Sequence, residues 1–304
     1  MDGKNTLTLT VGIPTCYGGQ SLLDTARTLR ASTGVGDFRF IIMADRTPIP
    51  PEIKNELEHL RVELFWNETA GSQMKKTKKM IAMVQSDILV LTQDDITFLP
   101  NTLSEILRTF EANPELTMLG ARFLPLEPVT FFESAMASLV RMVDYIGMGW
   151  NGKDNYLQAS GRCLAFRTEQ IKKFDIPENL VNSDTFMYVS NRKLGGSFAR
   201  PDNAIVYIRC PQRMRDQIGP SSRYQYSKVE MIGYFGKEIA AEYKIPLLSL
   251  FAGFTQEFLR HPISVISYTG VFIYTRIRRQ QKSKVVNPIW AVDASTKNVE
   301  DHAV

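Results

Sequence analysis

The stretch Asp87-Ile-Leu-Val-Leu-Thr-Gln-Asp-Asp-Ile96 runs from an unbroken apolar segment straight into two adjacent carboxylates, Asp94 and Asp95, with Gln93 ahead of them. An apolar run bounded by polar residues is the pattern of a central strand buried on both faces of a parallel sheet. Ligands of such sheets bind just beyond the carboxyl ends of the strands, which places Asp94 and Asp95 at an expected site. Two carboxylates held together repel each other and lose hydration, so the placement is tolerable chiefly when a divalent cation or a cluster of donors compensates. That requirement fits a metal and nucleotide site. A solvated acidic turn before the next helix is the simpler alternative.

Outward from this strand, the first half alternates strands and helices in the manner of a doubly wound α/β fold. Residues 7–14 read as a strand and 21–31 as an amphipathic helix, with capping-box spacing between Ser21 and Asp24. A second strand over 38–44 ends at Asp45, after which Ile49, Ile53, Leu57 and Leu60 repeat at helical intervals. Residues 61–66 read as a third strand. A loop through Gly71 then opens a lysine-rich helix over 72–84, which feeds the strand carrying Asp94 and Asp95. Beyond Pro100, Thr102 and Glu105 again have capping-box spacing, and Leu103, Ile106, Leu107 and Phe110 form one apolar face. Residues 117–124 and 157–166 read as further strands, with Gly161 expected to let their backbones approach closely.

With 304 residues and 44% hydrophobic content, the chain can bury one large α/β core or two small ones. The net charge of +4 is mild. The basic residues nevertheless cluster at Lys75, Lys76, Lys78 and Lys79, at Arg209, Arg213, Arg215 and Arg223, and at Arg276, Arg278, Arg279, Lys282 and Lys284, so local patches point to anionic partners. Cys16, Cys163 and Cys210 are widely spaced and form no CxxC pair, which reads as a reducing compartment without structural zinc. The polar residues at the start of the sequence lead into a strand, so no secretory signal is expected. No apolar run reaches the roughly 18 residues that span a bilayer.

Taken in order, Ile13-Pro14-Thr15 after the first strand, Asp45 after the second, Gly71 before a helix, Gln93-Asp94-Asp95 before Leu99-Pro100-Asn101-Thr102-Leu103, then Ser160-Gly161 and Asp184, resemble a family 2 glycosyltransferase. The resemblance covers roughly residues 7 to 230. It implies an A-type glycosyltransferase-like α/β fold, with a mostly parallel central sheet flanked by helices and C-terminal amphipathic helices. It also implies a nucleotide-binding domain over 1–230 and membrane-proximal helices over 231–284; residues 285–304 lack periodicity and mix small and polar residues, so they read as a flexible tail that carries no chemistry. In that family the acidic motif is usually Asp-x-Asp; here Gln93 takes the first acidic place and Asp95 the second. The resemblance makes Asp95 the expected ligand of Mn2+ or Mg2+, with Asp94 as a further metal or ribose contact. Pro14 and Thr15 are implied to shape the nucleotide pocket and Asp45 to contact the nucleobase; a helix N-terminal acid before Pro48 is the other reading of Asp45. Gly71, Lys75 and Arg223 complete the expected nucleotide-binding set, although lysines on that helix also suit a solvated face.

Asp184 stands where the family places its catalytic base, with Ser183 in place of the usual Glu. A carboxylate in a partly desolvated acceptor pocket suits proton abstraction from a hydroxyl. Ser183 or Asp184 capping the helix expected over 185–193 is compatible with that role. The segment 210–224 is expected to be a cationic loop that closes over the diphosphate, or one that meets anionic lipid or an acidic acceptor.

Residues 131–150 and 245–277 are apolar stretches outside the sheet pattern. Residues 262–275 carry no charge and precede a cationic run, which suits a helix lying in the interface of an anionic membrane. Packing of these helices on each other or on a second subunit is the alternative. His261 reads as a helix-end residue.

The expected function is therefore an inverting glycosyltransferase, cytoplasmic and peripheral at the inner face of the cell membrane. It would move a sugar from a nucleotide diphosphate sugar, read as a UDP-sugar, to a hydroxyl of a lipid-linked or membrane-proximal saccharide acceptor, with no nucleic acid partner. The alternatives are a catalytically silent membrane-binding module of the same fold and a sugar nucleotidyltransferase. The second requires a basic Gly-rich loop that Thr15-Cys-Tyr-Gly-Gly19 does not supply.

Overall fold

The apolar run becomes β4 (Ile88–Thr92), and its alternate residues feed two different cores. Ile88 and Val90 pack on one face of the sheet, Leu89 and Leu91 on the other, as the period of two in a strand requires. A computed structural model of the chain describes residues 7–279 and 294–297. Its central sheet runs in the order β3 (Glu63–Asn67), β2 (Arg39–Asp45), β1 (Leu9–Thr15), β4, β8 (Cys163–Arg167), β6 (Leu116–Gly120) and β9 (Ser197–Ala199). The first four are mutually parallel, while β8 lies antiparallel between β4 and β6. β1 is buried along its whole length, because helices cover both sides.

One face is covered by α1 (Gln20–Arg30), α2 (Pro51–His59), α4 (Thr102–Ala112) and α5 (Phe131–Met148), which contribute Leu22, Leu57, Phe110 and Met136 to the larger core. The other face packs against α3 (Gln73–Met83), the short α6 (Thr168–Ile171) and α7 (Ser183–Lys193) through Met80, Ile171 and Phe186. The A-type α/β architecture with a mostly parallel sheet, implied by the sequence resemblance, is the architecture observed.

The expected strand over 117–124 breaks at Ala121, whose amide donates to Cys163 O at 3.0 Å. After the break, β7 (Arg122–Pro125) leaves the central sheet and joins β10 (Ile205–Ile208) and β5 (Ile96–Phe98) in a second sheet of three strands. Asp94 and Asp95 thus sit in a turn between β4 of one sheet and β5 of the other. The strand expected over 157–166 shortens to β8, and the close approach expected at Gly161 occurs at Gly120 instead. A Cβ on Gly120 would lie 2.4 Å from Gln158 O, whereas one on Gly161 would meet nothing nearer than 3.5 Å.

The helix expected over 72–84 forms as α3, capped by Ser72, which accepts from the Lys75 amide at 3.1 Å. The two expected capping boxes are corrected. α1 starts at Gln20, so Ser21 lies inside it, and the Thr102 hydroxyl donates to Ile205 O of β10 rather than to its own helix. Residues 210–224 are not a loop: α8 (Met214–Phe235) begins at Met214 and contains Pro220. The helix also runs through residue 230, where a domain boundary was expected.

α9 (Leu247–Arg260) and α10 (Pro262–Arg279) meet at His261, whose amide donates to Glu257 O as the end of α9. Both lie against α5. Glu257 is fully buried, accepting from Ser138 at 2.8 Å and pairing with Arg141 at 2.9 Å, and Ser134 and Ser264 share a hydrogen bond of 2.7 Å. The outer faces remain open, with Leu247 83%, Leu248 81% and Leu259 77% exposed. Among the described residues, no helix is long and apolar enough to cross a membrane. Lys282, Lys284 and the side chains of Arg278 and Arg279 lie outside the described residues, as do 285–293 and 298–304 of the expected tail. Residues 294–297 form a 3-10 turn.

Removing one partner of a buried ion pair costs about 3–5 kcal/mol, because the other charge stays behind unpaired. Glu257→Ala should therefore lower the thermal midpoint clearly, and adding Arg141→Ala should recover part of the loss. Equal midpoints for wild type and Glu257→Ala in calorimetry would contradict the packing of α9 on α5.

Candidate active site

At the carboxyl ends of β1 and β4 a cavity of about 510 Å3 opens, and Thr15, Gln93, Asp94, Asp95, Asp184 and Arg223 all line it. The doubly wound order explains the location, since loops following the parallel strands diverge there. Asp94 is 7% exposed; it accepts the Thr15 hydroxyl on Oδ2 and the Lys297 ammonium on Oδ1 at 2.6 Å. Burial pushes its carboxyl upward, Lys297 opposes that, and the neighbouring Asp95 reinforces it; the net direction is up. Asp95 Oδ2 accepts Lys297 Nζ at 3.0 Å and the Thr296 hydroxyl at 3.1 Å. Burial disfavours the Lys297 cation, but Asp95 and Asp94 outweigh it and hold the ammonium above its usual range. Thr296 and Lys297 belong to the tail that the sequence reading left without chemistry. Nothing in the local pattern of Ala294-Ser-Thr-Lys297 marks them, because their partners lie some 200 positions away in the chain.

Asp45 is buried at the end of β2 and does not reach the main cavity. Its Oδ2 accepts the Gly71 amide at 2.8 Å and the Lys76 ammonium at 2.6 Å, and Arg46 approaches Oδ1 at 3.4 Å. Arg46, Gly71 and Lys76 line the cavity in front of it. Arg46 adopts φ 63°, a left-handed conformation uncommon for a side chain of its size. Lys75, expected at the diphosphate, lies one helical step away and lines a second cavity of about 480 Å3 behind Asp45, together with Trp66 and Lys79. The lysine-rich pattern thus identified the helix but not which of its lysines turns inward.

Asp184 occupies the first turn of α7, with Oδ1 accepting the Thr185 amide at 2.8 Å and Oδ2 accepting the Gly161 amide at 3.2 Å. A Cβ on Gly161 would lie 3.7 Å from Asp184 Oδ2 and 3.8 Å from Gln93 Nε2, so base candidate and acid turn flank the same glycine. Glu230 of α8, 6% exposed, fixes the approach to α7 by accepting from the Val181 and Asn182 amides at 2.8 and 2.9 Å. Neither Glu230 nor the half-buried Arg162, which stacks over Phe123 at 5.2 Å and lines the cavity, had a sequence signature.

Beyond the polar residues the cavity wall turns apolar, through Leu139, Val140 and Val143 of α5 and Tyr268, Val271 and Phe272 of α10. The cavity therefore joins a charged end, with an acid pair and basic side chains, to a greasy end. Among the described residues no three His, Cys, Asp or Glu side chains cluster as a closed metal site. An ion bridging a diphosphate, however, needs only one or two protein carboxylates, the rest coming from phosphates and water. Asp94 and Asp95 meet that need, and a cation, the Lys297 ammonium, already lies between them.

No protein-family model matches the sequence, and no curated protein matches it. Solved structures do. A mannosyltransferase from Pyrobaculum calidifontis in complex with GDP-mannose and Mn2+ superposes with TM-score 0.55 at 12% identity, over 89% of this chain and 75% of that one. Glucosyl-3-phosphoglycerate synthase from Mycobacterium tuberculosis, in complex with Mn2+, UDP and phosphoglyceric acid, superposes with TM-score 0.52 at 10% identity, over 79% of this chain and 80% of that one. The fold is accordingly that of the A-type nucleotide-sugar glycosyltransferases.

Cys16 is a half-buried wall residue of the cavity, whereas Cys163 and Cys210 are each 1% exposed, with thiols pushed up to about 12 by burial. Alkylation of the native protein near pH 8 should reach Cys16 alone, slowly because burial raises its thiol too, and UDP with Mn2+ should protect it. Peptide mapping that finds Cys163 or Cys210 modified first, or no protection of Cys16, would speak against this placement of the nucleotide.

Proposed function

We propose that the protein is an inverting glycosyltransferase that uses a nucleoside diphosphate sugar, read as a UDP-sugar, and a hydroxyl acceptor on a lipid-linked or membrane-proximal saccharide. The observation that carries this reading is the single cavity that holds Asp94 and Asp95 at one end, Asp184 beside them and an apolar wall beyond. In the proposed reaction Asp184 takes the proton of the acceptor hydroxyl, whose oxygen attacks the anomeric carbon as the bond to the diphosphate oxygen breaks. The diphosphate departs with the electron pair. Lys76, Arg162 and Arg223 lie in position to offset its growing charge, and Asp45 and Glu230 act at one remove by fixing Lys76, Gly71 and the start of α7. Asp95 and Asp94 are the residues assigned to Mn2+ or Mg2+, which when bound supplies Lewis-acid stabilisation of the leaving diphosphate.

The lipid-linked acceptor is supported by the apolar cavity wall and by the open faces of α9 and α10, on which Ile263 and Ile266 are 68% and 63% exposed. Exposed apolar faces of this size, with Arg260 and Arg276 among their basic residues, suit an anionic bilayer surface. The structural relative solved with phosphoglyceric acid favours a second reading, a small charged acceptor held by the basic residues of the cavity.

Asp184→Asn should lower sugar transfer by roughly 10²- to 10⁴-fold while leaving UDP and Mn2+ binding intact, the range a general base contributes. Asp95→Ala should weaken UDP binding in the presence of Mn2+. Full activity in both variants would remove the assignment. For the membrane contact, vesicles of anionic lipid should sediment the wild-type protein but not Leu248→Glu/Leu259→Glu/Ile263→Glu, whose altered residues are already open to water. Unchanged sedimentation of that variant would rule out α9 and α10 as the contact.

A further inference from the structure

The tail residue Lys297 lies where the proposed metal would. Its Nζ bridges Asp94 Oδ1 at 2.6 Å and Asp95 Oδ2 at 3.0 Å. The side chains of all three are largely withdrawn from water, with 12%, 10% and 17% exposure for Lys297, Asp94 and Asp95. The two residues before it are held as well, one at the site and one beside it. Thr296 donates to Asp95, and the Ser295 hydroxyl accepts from the Gln212 amide at 3.3 Å. The centre of the Tyr17 ring lies 5.8 Å from the ammonium.

We propose that Lys297 is an internal counter-cation of the acid pair, and that its ammonium and a divalent ion exclude each other between Asp94 and Asp95. The physical basis is charge. Two adjacent buried carboxylates repel each other and lose hydration, a cost that a cation held between them offsets. Lys297 supplies the missing positive charge until a metal and a diphosphate arrive together. One ammonium leaves the trio with a net charge of −1; a divalent ion in its place neutralises the acids fully and brings open coordination positions for phosphate oxygens, which an ammonium lacks. Lys297 therefore sets the metal affinity of the site. This inference rests on the proposed assignment of the metal to Asp94 and Asp95.

Mn2+ binding to the full-length protein, followed by the electron paramagnetic resonance signal of free Mn2+, tests it without reference to activity. Lys297→Met should bind Mn2+ at least about tenfold more tightly than wild type, because the ion no longer displaces a charge of like sign. Lys297→Arg, which keeps the charge, should stay within a few-fold of wild type, and thermal midpoints of both variants report that the fold is retained. Equal Mn2+ affinity in wild type and Lys297→Met would overturn the proposal. So would metal-free UDP binding that wild type shows and Lys297→Met loses, since Lys297 would then be a permanent phosphate cation. Asp95→Ala is the separate arm: undiminished Mn2+ binding there would refute the metal assignment itself, whatever Lys297 does.

Discussion

Two negative charges share one buried corner at the end of β4, and the surrounding architecture answers that constraint. The Thr15 hydroxyl from β1, the Lys297 ammonium from the far end of the chain and the neighbouring Arg162 all bring positive charge or a donor toward the same turn. The turn cannot relax away from them, because it joins strands of two different sheets, each buried on the core side. A corner so held selects for a cation. In the proposed reading that corner meets a diphosphate, an anion whose need for a cation is the same as that of the acids.

The parts of this arrangement that the sequence disclosed are those set by local periodicity. The both-faced apolar run of β4, the parallel order of the first four strands and the inward face of α4 all follow from residue spacing of two or of 3.6. The acid pair is conspicuous because it interrupts such a run. The second sheet escaped notice because its strands are only three or four residues long, and because β7 is separated from β6 by Ala121 alone. The two capping boxes failed for a related reason. Ser21 and Thr102 have the right spacing, but the entering loop fixed the start of α1 and a strand of the other sheet claimed the Thr102 hydroxyl.

The placement of the candidate acids was legible and that of the basic residues was not. Asp45, Asp94, Asp95 and Asp184 each end a strand or open a helix, positions that sequence marks well. Which lysine of α3 turns inward, however, depends on the angle at which the helix crosses the sheet, so Lys76 and not Lys75 bonds Asp45. Asp45 itself is occupied by that lysine and by the Gly71 amide, which makes it a support for the cavity wall rather than part of its surface. Long-range contacts such as that of Lys297 have no local signature at all.

α8 ties together two jobs that usually reside on separate elements. Its first half places Arg223 at the cavity, and near its end Glu230 grips the backbone leading to Asp184. Between the helix start and Arg223, Pro220 lacks the amide that would close the turn onto residue 216, which leaves one gap in the backbone ladder at that joint. Residues 214–219 before that joint and Glu230 beyond it are therefore not tied by one unbroken ladder of backbone hydrogen bonds, and the hold on the backbone leading to Asp184 does not depend on how the helix begins.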